Sequence, residues 1–156
     1  MKTYRAWSRI AVAAILLALV ASSFFAGASN SSDLKIELQL IWGADVQKSP
    51  DPKQKPVSEE VAKTMKASPF KWKNYFEVGR QTAVLPLNAP KKIQMSDKCT
   101  LEVTNQGEGR VEIKLFGPTP DKFVYRHTES VANGPIIIAG PAKDDTAWLT
   151  FVKQVK

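Results

Sequence analysis

This chain of 156 residues has one cysteine, one histidine and a net charge of +7. A single cysteine excludes a disulfide within the chain. One histidine and one cysteine also exclude a blue-copper site, which needs two histidines and a cysteine, and a structural zinc site, which needs about four soft ligands.

The amino-terminal residues have the pattern of an export signal. A basic stretch at 1–9 precedes an apolar run at 10–25, and the small residues 26–28 follow it. This order predicts a signal peptide that is cleaved after Ala28. The alternative is an uncleaved membrane anchor, because residues 10–28 carry no charge and are just long enough to span a bilayer.

Cleavage leaves residues 29–156, which we expect to form a single β-rich domain. The leader contains three of the 22 basic residues and none of the 15 acidic residues, so the mature domain has 19 basic residues and a net charge of +4. This modest charge favours solubility and weak attraction to anionic surfaces. It does not indicate nucleic-acid binding, and export argues further against a nucleic-acid partner.

The first part of the mature chain predicts a strand, a loop and a helix. Residues 34–40 alternate apolar and polar side chains without interruption, as in a half-buried strand. Residues 43–57 contain three prolines and predict a long loop. A short helix is predicted at 58–67, where the first serine can cap the helix and Val61 and Met65 form a narrow apolar stripe.

From residue 70 onward, the side chains alternate with the period of two that is typical of strands. Tight turns join most of these segments, so neighbouring strands should be antiparallel, and Asp97 and Lys98 fit a two-residue hairpin. The predicted strands span residues 70–78, 82–87, 91–96, 99–105, 110–115, 122–128, 136–139 and 146–155. We therefore predict a mainly β fold, a single antiparallel β-sandwich or barrel-like domain of about eight strands with one short helix.

The lone cysteine lies within one of these predicted strands. Cys99 alternates in phase with Leu101 and Val103, which predicts that it faces the core as a small, inert apolar residue. The alternative is an unpaired thiol that cross-links to a partner chain.

The densest group of basic and aromatic residues spans 69–77. Strand geometry would place Lys71, Lys73 and Tyr75 on one face and most of the aromatic residues on the other. The simplest interpretation is an aromatic core face backed by a solvated, charged face. The alternative is a surface that binds an anionic polymer or a carbohydrate, because rings stack and ammonium groups pair with anions. Lys71, Lys73 and Tyr75 are the candidate residues of that surface.

No combination of residues in this chain predicts catalysis, a cofactor or a metal site. The hydroxyl group nearest to His127 in the sequence belongs to Thr128, but adjacent residues on a strand face opposite ways, so no pair of base and nucleophile is indicated. Asp144 and Asp145 fit a polar turn better than a calcium loop, since no further acidic residue falls at ligand spacing. We expect no catalytic residue, no cofactor and no metal.

Several segments resemble a family of small, uncharacterised exported bacterial proteins that has no assigned activity. The resemblance lies in residues 41–43, 48–52, 69–77, 96–99 and 144–148. It extends over most of the mature chain and implies export and a single domain. It implies no catalytic or binding residue.

These observations favour an exported, periplasmic or envelope interaction module without enzymatic activity. Its exposed strand edges are the expected docking surface for an unknown envelope protein. The alternative function is binding of an anionic envelope polymer or carbohydrate through Lys71, Lys73 and Tyr75. Nucleic acid is not an expected partner, and membrane contact is expected only through the leader if it is not cleaved.

Overall fold

The computed structural model describes residues 33–119 and 122–156. The predicted signal peptide and its cleavage site lie outside these residues. Among the described residues, the structure contains no helix with the length and apolar character needed to cross a lipid bilayer. The elements are strands β1 (Leu34–Ala44), β2 (Lys55–Pro56), β3 (Asn74–Leu85), β4 (Pro90–Ser96), β5 (Cys99–Gly107), β6 (Arg110–Phe116), β7 (Phe123–Ser130), β8 (Ile136–Pro141) and β9 (Ala147–Gln154), helix α1 (Glu59–Ala67) and a 3-10 turn (Val131–Asn133).

The strands form two antiparallel sheets. Sheet A has the order β2-β3-β1-β9-β8, and sheet B has the order β4-β5-β6-β7. Sheet B is a meander of four consecutive strands that the chain forms between β3 and β8 of sheet A. The predicted mainly β, antiparallel fold is confirmed, and its strands form a two-sheet sandwich rather than a closed barrel.

The main hydrophobic core lies between the two sheets. Ile36 and Leu38 of β1 belong to the same cluster as Leu101 and Val103 of β5 and Ile113 of β6. All five side chains have 0% exposure. Their alternation with outward-facing neighbours is the period of two that predicted these strands.

Helix α1 covers the opposite face of sheet A. Val61 and Met65 have 0% exposure and lie in a second cluster with Tyr75 of β3 and Phe151 of β9. The side chain of Ser58 accepts the backbone N–H of Val61 at 3.4 Å and caps the helix. The predicted helix and its apolar stripe are confirmed. Because the helix covers one face and sheet B covers the other, the central strands of sheet A are buried on both faces.

Strand β3 differs from the prediction of two strands at 70–78 and 82–87. It is one continuous strand of 12 residues that begins four residues later than expected. Its register with β1 shifts at Val78, and this bulge lets the strand bend instead of ending. Gly79 is required by close packing, because a Cβ there would lie 2.6 Å from the carbonyl oxygen of Met95 on β4.

Sheet B begins with a hairpin and is joined to sheet A by a crossover. The predicted hairpin at Asp97 and Lys98 joins β4 to β5, and Cys99 begins β5 as a buried residue of the main core. The prediction that Cys99 is buried is therefore confirmed. The crossover from sheet A to sheet B is held by buried Asn105, whose side-chain amide donates to the carbonyl oxygen of Leu85 at 3.1 Å.

Candidate functional site

The predicted ligand surface is divided between an exposed segment and the core. Lys71 and Lys73 are exposed and lie in the segment that leads from α1 into β3. Tyr75 is only 6% exposed and packs under helix α1. The alternation of faces begins only at Asn74, where β3 starts, so the expected face of three side chains does not form. Tyr75 therefore does not share an exposed face with Lys71 and Lys73, and ligand binding by the two lysines stays a prediction.

Lys71 is already engaged by neighbouring groups. Its ammonium group lies 2.9 Å from Oδ1 of Asp145 and 5.9 Å from the centre of the Trp72 ring. The indole N–H of Trp72 donates to the carbonyl oxygen of Asp145 at 2.6 Å. The hydrogen bond from Lys71 lowers the pKa of the Asp145 carboxyl group. Both charged side chains are largely exposed, so this pair adds little stability, but it attaches the segment to the loop between β8 and β9.

A cavity of about 370 Å³ lies between this segment and the β8–β9 loop. Phe70 and Trp72 line it with aromatic rings, whereas Lys71 and Asp145 supply charges of opposite sign. This combination of rings and polar groups suits a carbohydrate better than a polymer of uniform negative charge.

Lys73 also lies beside a carboxylate. Its backbone N–H donates to Oδ1 of Asp45 at 2.9 Å, and the side-chain amide of Asn74 donates to the carbonyl oxygen of Val46 at 2.9 Å. These bonds fasten the start of β3 to the loop after β1. The surface around the two predicted lysines is therefore mixed in charge rather than uniformly basic.

Tyr75 is part of the hydrophobic cluster between helix α1 and sheet A. Its ring packs in the cluster that contains Val61 and Met65, and its hydroxyl group has no hydrogen-bond partner among the described residues. Burial raises the pKa of Tyr75, and the nearby negative charge of Asp45 raises it further. The phenol is consequently neutral at physiological pH and fills space beneath the helix.

His127 and Cys99 do not form a catalytic pair. Nε2 of His127 lies 2.8 Å from Oε2 of Glu129 on β7, and its ring stacks on Tyr125 with centres 6.0 Å apart. Cys99 lies on β5, with β6 between it and β7. Burial raises the pKa of the Cys99 thiol to about 11, so the nucleophilic thiolate is scarce at neutral pH. The described residues contain no group of three or more His, Cys, Asp or Glu side chains that could hold a metal ion.

The structure reveals an exposed apolar run at the start of strand β7 that was not predicted as a site from the sequence. Phe123, Val124 and Tyr125, at the start of β7, have exposures of 49%, 60% and 41%. Their register with β6 shifts at Val124, which forms a bulge. Three consecutive large apolar residues at the start of a strand were the available sequence signal, because they interrupt the alternation of apolar and polar side chains.

The structure also reveals a cavity of about 490 Å³ at one end of the sandwich. Seven strands contribute to its wall, among them β1 through Leu40, β5 through Cys99, β6 through Leu115, β7 through Val124 and β9 through Trp148. Leu40, Cys99, Leu115 and Trp148 fit ordinary strand positions in the sequence, and Val124 belongs to the exposed apolar run at the start of β7. No sequence signal separates a residue that lines a cavity from one that fills a core.

Comparisons of this chain with protein-family models, with curated proteins and with solved structures found no match.

Proposed function

We propose that this chain is an exported, non-enzymatic module of the periplasm or envelope that docks another envelope protein along strand β7. The observation that carries this proposal is the exposed apolar run Phe123, Val124 and Tyr125 on a strand at the edge of sheet B. The backbone of an edge strand offers N–H and C=O groups to an added strand. Exposed apolar side chains beside those groups supply the contact area that stabilises strand addition.

The four edge strands of the two sheets differ in how well they resist pairing. Strand β2 consists of Lys55 and Pro56, strand β4 begins with Pro90 and Lys91, and strand β8 ends at Pro141. Lysine and proline on an edge oppose pairing with another chain. Strand β7 contains neither residue type, so its side chains protect the edge least, and the bulge at Val124 is its one irregularity in pairing with β6.

Strand β7 also extends beyond the cover of sheet A. Tyr125 and His127 pair with Leu115 and Ile113 of β6, so all four side chains lie on the inner face of sheet B. Leu115 and Ile113 are buried in the main core, whereas Tyr125 is 41% exposed. An added strand would therefore meet accessible side chains on both faces of β7.

The charges along β7 indicate which part of the strand makes the apolar contact. Arg126 donates to Glu112 of β6, and His127 contacts Glu129 within β7. The second half of the strand is thus polar and internally paired. The partner supported by this arrangement is an extended segment of another protein whose apolar side chains alternate along the half of β7 that contains Phe123 and Tyr125.

Site-specific cross-linking locates such a partner. A photoreactive residue is placed at Tyr125 in cells that produce the protein, and in a control at Val46, which is an exposed apolar residue outside the strands with 43% exposure. The proposal expects one discrete product from position 125 and none from position 46. The cross-linked protein is identified by mass spectrometry, and its affinity for this chain is then measured with both proteins purified.

Matched variants test whether the edge strand is the contact. The double variant Phe123→Lys, Tyr125→Lys should weaken the affinity at least about tenfold, because lysine opposes edge pairing and the apolar contact is lost. The Val46→Lys control should bind as the wild type does. Equal affinity of all three proteins would refute the proposal. A homodimer of the purified chain that the double lysine variant dissociates would replace the envelope partner with a second copy.

A second candidate function is binding of a carbohydrate or anionic envelope polymer beside Lys71. The observation that favours it is the cavity of about 370 Å³ where Phe70, Lys71 and Trp72 face Asp145. The variant Trp72→Ala should abolish binding of a carbohydrate that stacks on the indole ring. The double variant Lys71→Glu, Lys73→Glu should instead abolish salt-sensitive retention on an anionic polymer column. Unchanged retention and sugar binding in these variants would remove this candidate.

A further inference from the structure

The cavity of about 490 Å³ lies between sheets A and B, at the end that carries the β4–β5 hairpin. Leu40, Leu115 and Trp148 form its inner wall, and exposed Val124 and Lys98 bring it to the surface. Its volume falls within the range of roughly 300–1,000 Å³ that is usual for small-molecule sites. The cavity is therefore large enough to hold part of a ligand that enters from solvent.

A close contact with β8 explains why the side chain of Trp148, the largest in this wall, does not fill the cavity. The Trp148 ring lies directly against Gly140, where any Cβ would overlap the ring. The ring is thus held against sheet A and borders the cavity. A second cavity of about 400 Å³ shares Leu40, Lys98 and Trp148 with the first, so the two spaces adjoin at this end of the sandwich.

The lining of the first cavity is apolar except at its rim. Ser96 and Lys98 are the polar side chains among its described lining residues, and none of those residues is acidic. The other lining residues are leucine, valine, proline, glycine, tryptophan and Cys99. The thiol of Cys99 is neutral at physiological pH because burial raises its pKa to about 11. Lys98 takes part in none of the ion pairs formed among the described residues. Asp97, its neighbour, lines a different cavity.

We propose that this cavity binds the hydrocarbon chain of a single-chain amphiphile whose anionic headgroup pairs with Lys98 at the rim. The apolar wall fits a hydrocarbon chain, which needs no hydrogen-bond partners. The ammonium group of Lys98, which forms no ion pair among the described residues, complements a carboxylate or phosphate headgroup. A sugar or nucleotide would bury many polar groups against a wall that cannot satisfy them.

This ligand site goes beyond the docking role of β7 and does not depend on it. Phe123 and Tyr125, the residues that test the docking proposal, do not line the cavity. The double lysine variant at those positions should therefore bind the amphiphile as the wild type does. Failure of one proposal leaves the other standing.

Calorimetric titration of the purified protein with monomeric dodecanoate, dodecyl phosphate and dodecanol tests the site. We expect saturable binding of one molecule and an affinity for the anions about tenfold above that for the alcohol. Shortening the chain should weaken binding by about fourfold per methylene group. The ratio between dodecanoate and dodecyl phosphate distinguishes a carboxylate from a phosphate headgroup.

Variants at the rim separate the charge from the cavity. Lys98→Gln should remove the preference for anions and leave dodecanol binding unchanged. Lys92→Gln is the matched control, because Lys92 lies 5.1 Å from the centre of the Phe116 ring and lines a different cavity. Val124→Trp adds bulk at an exposed position of the wall and should weaken binding of all three probes without the folding risk of a buried substitution.

Protection of Cys99 from alkylation is a second measurement of binding that does not rely on calorimetry. Cys99 lines the cavity, so bound dodecanoate should slow its alkylation in the folded wild-type protein and should have no effect in the unfolded protein. No saturable binding of any probe would overturn the proposal. Equal affinity for anion and alcohol would also overturn it, as would identical behaviour of the Lys98→Gln and Lys92→Gln variants.

Discussion

Replacing Met65 with alanine tests whether helix α1 is an essential layer of this fold. Met65 has 0% exposure and packs with Val61, Tyr75 and Phe151 between the helix and sheet A. The substitution removes three heavy atoms from this cluster. At about 0.8 kcal/mol for each methylene-sized group, the transfer contribution alone is about 2.4 kcal/mol. The cavity left behind adds to this, so we expect the free energy of unfolding to fall by about 2–5 kcal/mol.

Urea unfolding followed by tryptophan fluorescence measures this loss. With a denaturant dependence of about 2 kcal/mol per molar, a loss of 3 kcal/mol lowers the midpoint by about 1.5 M. Lys63→Ala is the matched control, because Lys63 is exposed on the same helix and its removal should change stability by less than about 0.5 kcal/mol. A loss below about 1 kcal/mol for Met65→Ala, with an unchanged denaturant dependence, would refute the packing of the helix on sheet A.

Three further predictions concern individual side chains. Gly140→Ala should displace the Trp148 ring and lower the free energy of unfolding by about 1–3 kcal/mol, and an unchanged tryptophan emission spectrum would contradict this. Hydrogen bonding from Arg126 lowers the pKa of Glu112 below its ordinary 4.5. The ionised Glu112 therefore stabilises the folded protein above about pH 4.5, and this contribution is lost as the pH falls further and the carboxylate is protonated. Glu112→Gln should therefore lose less stability than the wild type between about pH 6 and about pH 3, and equal pH profiles would count against the pair. With its pKa raised from 9.0 to about 11, Cys99 should be alkylated at about pH 8 at least about 100-fold more slowly in the folded protein than in urea, and similar rates would show that the thiol is accessible.

Much of the secondary structure could be predicted because burial imposes a period on each element. Alternation in β1 and β5 places one set of side chains against the other sheet, and the pair Val61 and Met65 places one stripe of α1 against sheet A. The position of β3 was harder to predict. Gly79 lies where the two predicted strands part, but β3 pairs with β1 on both sides of it. The residue is glycine because a Cβ there would lie 2.6 Å from the carbonyl oxygen of Met95 in the other sheet.

The burial of Tyr75, unlike the exposure of Lys71 and Lys73, could not be predicted, for a similar reason. The exposure of Lys71 and Lys73 follows from their charge, but the face of Tyr75 depends on the residue at which strand alternation begins. The ion pair between Lys71 and Asp145 joins residues 74 positions apart in the chain. No local pattern could show that this lysine has a carboxylate beside it.

Composition and periodicity alone were enough to establish a mainly β, antiparallel fold with one capped helix, a hairpin at Asp97 and Lys98, and a buried Cys99. These features depend on residues that are neighbours in the chain, and each leaves a local pattern. The open face of β7 and the cavity beside Trp148 depend on where sheet A ends relative to sheet B. Only the packing of distant strands decides whether an apolar side chain is covered, exposed or left to line an empty space.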